Sequence, residues 1–238
     1  MTLLTLSFDR ASQSSLSDTV YLLIRERILR GQLRPGQVLS RRRMAEEFGV
    51  SLVPVAEAVK RLESDMLVES RPQAGTRVRI PAPEEVRGRC IVREALEAQS
   101  ARLCCVQATM KERLDLRRMA EQLDTLYLRF QDDNDQELQF VVHTHHFELH
   151  MRIAEYARCP ELQQAIETNN VLVHNWFFDI AVERRALPLG FHSQLMQAIT
   201  GVDPLAADES MRAHVQYGVE ETLQKILPSS TNNWRARR

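Results

Sequence analysis

The stretch Met44-Ala45-Glu46-Glu47-Phe48-Gly49-Val50-Ser51-Leu52-Val53-Pro54-Val55 decides how this chain folds. Met44, Ala45 and Phe48 follow Ser40 at helical spacing, and Gly49 ends that helix because glycine takes the left-handed conformation readily. Ser51 is placed to cap a second helix from about Leu52 to Ser64, with Val55, Ala58, Val59 and Leu62 on one face. Two short helices joined by a three-residue turn describe a helix-turn-helix.

Upstream, Ser17 or Asp18 is the expected N-cap of a helix carrying Val20, Leu23, Ile24 and Ile28, and Gly31 closes it. The polar segment before it, 1–16, is expected to be a flexible tail. Downstream, Leu67-Val68-Glu69-Ser70 and Thr76-Arg77-Val78-Arg79-Ile80 alternate like strands around the turn Arg71-Pro72-Gln73-Ala74-Gly75. Residues 17–80 are therefore expected to form three helices plus a two-stranded wing.

From Pro81 the pattern changes. Pro81-Ala82-Pro83-Glu84-Glu85 reads as a linker entering a helix, because proline suits the first turn and acids complement the helix dipole. Amphipathic segments follow at about 84–107, 110–131, 134–157, 160–183, 188–200 and 204–227. They predict an all-α antiparallel bundle of six to seven helices over 81–228, then a flexible basic tail at 229–238. The fold class is mainly α.

Composition supports that reading and excludes others. Hydrophobic residues make up 44% of the 238, enough for real cores and too many for a disordered chain. Cys90, Cys104, Cys105 and Cys159 form neither a C-x2-C pair nor a disulfide framework, and no signal peptide or membrane-spanning run is evident. A cytoplasmic protein is expected. The net charge of −1 conceals an asymmetry: residues 1–80 carry 13 Lys and Arg against 9 Asp and Glu, and residues 81–238 carry 18 against 23. A basic front and an acidic rear suit different partners.

The bundle holds one unusual segment, His143-Thr144-His145-His146-Phe147-Glu148-Leu149-His150, with four of the chain's seven histidines. On a helix His143, His146 and His150 share a side while His145 points elsewhere. A zinc-protease motif is disfavoured, since H-E-x-x-H needs Glu directly after the first histidine and Glu148 stands two residues after His146.

The run from Val20 to Val78 closely resembles the winged helix-turn-helix of the GntR superfamily of bacterial transcription regulators. The residues that carry the resemblance include Ile28-Leu29-Arg30-Gly31, Leu33-Arg34-Pro35-Gly36, Met44 through Ser51, Pro54-Val55, Arg61-Leu62-Glu63 and Gly75-Thr76-Arg77-Val78. It implies double-stranded DNA, a palindromic operator, as partner. Two positions depart from the family pattern: where its recognition helix carries arginines, this sequence has Leu52 and Ala56, with Val53 replacing a threonine. Neither aliphatic replacement donates a hydrogen bond to guanine. Arg41-Arg42-Arg43 stands where the family usually has one arginine between two acids, and suits phosphate binding. The expected DNA contacts are Arg42, Arg41, Arg43, Ser51 and Gly75, with Arg34 behind them.

The bundle resembles the FCD domain of one branch of that superfamily, on Val92-Arg93-Glu94-Ala95-Leu96-Glu97, His150 to Leu162, Phe191-His192 and Met211-Arg212-Ala213-His214. Metal-binding members use an Asp-x3-His pair and one histidine on each of two later helices. The matching positions are His146, His150, His192 and His214, with histidine where the aspartate stands. A wholly neutral ligand set leaves the metal's charge for an anion and tilts preference from Mn²⁺ or Mg²⁺ toward Zn²⁺ or Ni²⁺. His143, one turn before His146, is placed either to support a ligand ring from behind or to substitute as a ligand. Arg93 either binds an anionic effector or pairs with Glu97 at i+4.

The resemblance thus implies a homodimeric transcription regulator, more often a repressor, controlled by a small carboxylate effector at a metal site. A metal-ion sensor and a metalloenzyme with a vestigial DNA-binding domain are the alternatives. No catalytic residues are expected.

Overall fold

The structure is a computed structural model that describes residues 15–132, 136–169, 187–217 and 219. These fall into two compact units, Met1–Ile80 and Pro81–Arg238.

In the first unit α1 spans Leu16–Leu29, α2 Arg41–Phe48 and α3 Leu52–Ser64. The N-cap of α1 is Ser15: its side chain accepts from the Asp18 backbone N–H, and Asp18 returns a bond to the Ser15 N–H. This capping box starts the helix two or three residues earlier than Ser17 or Asp18, and takes Ser15 and Leu16 out of the expected tail. Residues 1–14 lie outside the described residues. Ser40 caps α2 by accepting from the Arg43 N–H, and Gly49 ends it at φ 65°. That left-handed conformation suits glycine, as the sequence pattern requires. Val20, Ile24 and Ile28 of α1 pack on Val55, Ala58, Val59 and Leu62 of α3. Outside this core, the Arg61 guanidinium stacks over Tyr21 and pairs with Asp18.

The wing is larger than a hairpin. Strands β2 (Val68–Arg71) and β3 (Gly75–Val78) pair antiparallel, and β1 (Val38–Leu39) adds to the other edge of β3 in the order β1-β3-β2. Val38 faces Arg77 and Leu39 faces Thr76. Two residues are too few to show alternation, so β1 is invisible to a pattern search. Gln73 and Gly75 make the wing turn with φ of 61° and 81°.

The second unit is helical: α4 Pro83–Gln107, α5 Met110–Asp132, α6 Gln136–Tyr156, α7 from 160 and described to 169, α8 Phe191–Ile199 and α9 Pro204–Gln216. The expected ends at 183 and 227 and the 229–238 tail lie outside the described residues. Pro83 and Pro204 sit in first turns, where a missing N–H costs nothing. Helix α4 packs along α9, α5 along α6 and α8, and α8 against α9. Leu116, Leu123, Leu149, Ile153, Met196, Ile199 and Met211 are fully buried between them. Arg113 ties the end of α4 to the turn before α9, donating to the carbonyls of Ala108, Cys105 and Gly201.

Candidate functional site

In the first unit the outward face of α3 begins with Leu52 and Val53 and continues through Glu57 and Lys60; Pro54, Val55, Ala58 and Val59 are buried beneath it. Ser51 is the N-cap of α3, and its side chain makes no capping hydrogen bond. The hydroxyl is spare for another acceptor. Arg41, Arg42 and Arg43 are all exposed on the first turn of α2. Arg42 meets Glu46 at 3.2 Å with its side chain 86% exposed, a solvated pair of small worth. Arg41 leans to the wing, 3.3 Å from Thr76 Oγ1 and 3.5 Å from Ser70 Oγ. Gly75 is exposed at the wing turn, with nothing within 4 Å of the position a Cβ would take.

In the second unit four imidazoles converge. His146 and His150 lie one turn apart on α6, His192 opens α8, and His214 lies near the end of α9. The ligand atoms of His146, His192 and His214 all fall within 4.8 Å of one another. His150 Nε2 joins them, 2.9 Å from His146 Nε2 and 3.3 Å from His214 Nε2, and the His146 to His214 separation is 3.2 Å. Four nitrogens at Zn–N bonds of about 2.0–2.1 Å on a tetrahedron stand roughly 3.3 Å apart, so the pocket is near that size.

Two carboxylates, Glu97 buried and Asp124 half-buried, set the ring orientations. Glu97 of α4 places Oε2 2.5 Å from His150 Nδ1, and Asp124 of α5 places Oδ1 2.7 Å from His192 Nδ1. Asp124 accepts a hydrogen bond from the His192 Nδ1–H, which leaves that ring's Nε2 lone pair for the pocket, and Glu97 turns the His150 ring the same way through its close contact with Nδ1. Asp124 does more, because it also accepts from the backbone N–H groups of His192 and Ser193 and from the Ser193 hydroxyl. Burial opposes ionisation of Asp124, but these donors outweigh it and hold its pKa at about 2. Arg93 and His150 likewise keep Glu97 well below the usual carboxylate range against its burial. Arg93 itself bonds Glu97 Oε1 at 2.9 Å, which realises the i+4 pair.

Burial drives the His146 and His214 pKa values well below 6.5, with the neighbouring imidazoles adding to it, so both rings are neutral and ready as ligands. Ring nitrogens that face one another this closely repel unless a proton or a cation stands between them. His192 Nε2 is buried without a hydrogen-bond partner among the described residues, and a cation is the species to which several inward lone pairs donate together. The donor set fits a borderline metal such as zinc or nickel. Tyr127 stacks on His192 at 5.1 Å and Phe191 on His214 at 4.6 Å, forming apolar walls.

His143 is half-buried on α6, its pKa lowered by burial to about 4, and it is not part of the converging triad. His145 turns back to the Val141 carbonyl at 2.9 Å. Asp124 and Tyr127 carry no local signature in the sequence. They belong to the cluster only because α5 packs against α8, and nothing short of that packing identifies them.

Comparison with known proteins now bears on both units. Residues 16–78 match the family described as bacterial regulatory proteins, gntR family, and residues 90–217 match the FCD domain. The chain belongs to the GntR family and carries an FCD domain. This GntR-family protein is 26% identical over 216 residues to the HTH-type transcriptional repressor RspR of Escherichia coli K12, covering 90% of this chain and 91% of that one. It is also 26% identical over 223 residues to the uncharacterised HTH-type regulator YieP of the same organism, covering 85% and 94%. Its fold is that of E. coli McbR/YncC, with a TM-score of 0.72 at 21% identity over 90% of this chain and 99% of that one. As a GntR protein with an FCD domain it is a DNA-binding transcription regulator and not an enzyme. No helix among the described residues is long and apolar enough to cross a membrane.

Proposed function

We propose that this regulator is a cytoplasmic homodimeric repressor whose affinity for a palindromic operator is set by a small carboxylate bound at a metal held by His146, His150, His192 and His214. The observation that carries the reading is the convergence of imidazole nitrogens from α6, α8 and α9 within 4.8 Å in a pocket where burial lowers the pKa of His146 and His214. A metal there supplies positive charge for an anion. Glu97 and Asp124 hold two of the ligand rings, and Arg93 lies beside them with its charge shared with Glu97. Because the ligands come from three helices, a ligand that draws them together changes how those helices pack. A differential affinity for two packings is what shifts a regulator's population.

In the DNA-binding unit Arg41, Arg42 and Arg43 would neutralise phosphates, with Ser51 and the backbone at Gly75 close to the duplex. Dimerisation presents two such heads to the two halves of the operator.

A second reading has one observation in its favour. His150 Nε2 stands at tetrahedral spacing from His146 and His214, which suits a site closed by four nitrogens, whereas the first reading needs the same four ligands to leave a further position open. In that case the ion itself is the effector.

The test is duplex binding by the full-length protein over a salt series, with metal alone and with metal plus a panel of small carboxylates. Affinity should fall with salt, and Arg42→Ala should reduce the log–log slope by about 1. Release by carboxylate only when metal is present supports the first reading, and release by metal alone selects the second. Absence of bound metal in the purified protein together with no binding on addition would remove both.

A further inference from the structure

The start of α3 has a chemistry that the rest of the DNA-binding face does not share. Leu52 and Val53, the first two residues of the helix, are 55% and 64% exposed, and they are branched aliphatic side chains among exposed arginines. The core does not use them: the inward positions of the same helix are Pro54, Val55, Ala58, Val59 and Leu62. Ala56 lies one turn beyond Leu52, so three successive places on this surface offer no hydrogen-bonding group.

In a helix-turn-helix, the N-terminal residues of the second helix face the base edges of the major groove. Guanine is read there through its N7 and O6 acceptors, which require a donor that Leu52, Val53 and Ala56 lack. The 5-methyl group of thymine is the apolar feature of that groove, and an aliphatic side chain buries against it. The charges around the helix are arranged for a different task. Arg41, Arg42 and Arg43 on α2 and Arg71 on the wing are exposed and suit the phosphates, which fix register without reading sequence. Discrimination is thus left to the apolar tip. Glu57, exposed on the next turn, complements it, since a carboxylate accepts from the cytosine amino group and repels phosphate.

We propose that Leu52 and Val53 read thymine methyl groups, so that each operator half-site is specified by thymines at the positions under the start of α3 rather than by guanine. This rests on the winged unit binding DNA through α3.

The experiment uses the full-length chain. Tight binders are selected from a randomised duplex pool, and the thymines common to them are replaced by uracil, which removes only the methyl group. Binding should weaken about fourfold per methyl removed. Leu52→Ala and Val53→Ala, both changes at exposed positions, should each bring the ratio of the affinities for the thymine and uracil duplexes closer to one. Equal binding of the thymine and uracil duplexes, or a selected site in which guanine is required and the thymine preference survives both variants, overturns the inference. Enrichment of no sequence overturns it too. The salt dependence of binding to unselected duplex then shows whether DNA binding by the unit has failed with it or stands without base readout.

Discussion

Asp124 and His192 stand 68 positions apart in sequence and are joined twice, because one carboxylate oxygen of Asp124 accepts from both the backbone N–H and the Nδ1–H of His192. The other oxygen accepts from the backbone and hydroxyl of Ser193. A side chain of α5 therefore does the capping that Gly190, the N-cap of α8, has no side chain to do.

Asp124→Asn tests this double role. The amide nitrogen must face either the His192 donors or the Ser193 donors, so donor meets donor on one side. Unfolding free energy should drop by about 1–3 kcal/mol. Metal affinity should fall by about 10–100-fold, since a partner that orients a ligand ring is lost. Denaturant titration reads the first effect and isothermal calorimetry with zinc the second. Unchanged zinc affinity alongside lowered stability would confine Asp124 to folding.

His146 is the position at which the resemblance to metal-binding FCD domains implies a carboxylate and this chain carries an imidazole. His146→Asp restores an anionic oxygen ligand and should move preference from zinc or nickel toward manganese, because harder cations favour oxygen donors. His146→Ala should lower zinc retention without that change of preference. Metal content after equilibration against mixed divalent ions decides between them. An identical metal profile for all three proteins would place His146 outside the site.

Arg113 donates to three carbonyls, two of them at the end of α4 where no further helical N–H is in reach. Arg113→Met keeps much of the aliphatic length and removes the donors. A loss of about 1.5–3 kcal/mol is expected in chemical denaturation of the helical unit. DNA binding should be little affected at temperatures where that unit remains folded.

Glu112 gives a pH dependence away from the histidine cluster. The backbone N–H of Thr109 lowers its pKa most, burial opposes, and the Arg158 guanidinium and Thr109 hydroxyl lower it further. A carboxyl whose folded pKa is depressed stabilises the fold above its unfolded pKa, and that contribution is lost as pH falls through the lower folded value. Glu112→Gln should therefore be less stable than the parent at neutral pH, with the difference closing in acid. Urea midpoints measured across the acid range check this, and a difference independent of pH would contradict it.

Local pattern was enough for the helix-turn-helix, the wing strands β2 and β3, and the main helix positions of the bundle. Those features come from side chains within a few residues of one another: Gly49 after Phe48, the spacing of Val55 to Leu62, Pro83 and Pro204 in first turns. The capping box at Ser15 was legible in principle, since Ser15 and Asp18 are three residues apart, and it moved the start of α1. Strand β1 was not, because a two-residue strand exists only where β3 is present to pair with it.

The sequence by itself determined which residues were candidates for the site: an imidazole pair four apart on one helix, and a resemblance that pointed to His192 and His214. Only the tertiary structure decided that their nitrogens meet, that Glu97 and Asp124 orient two of the rings, and that Arg93 shares its charge with Glu97. The physical reason is range. Helical periodicity fixes which side of α6 a histidine faces, but convergence depends on how α4, α5, α6, α8 and α9 pack, and that is set by the shapes of buried side chains such as Leu149, Met196 and Met211 acting together.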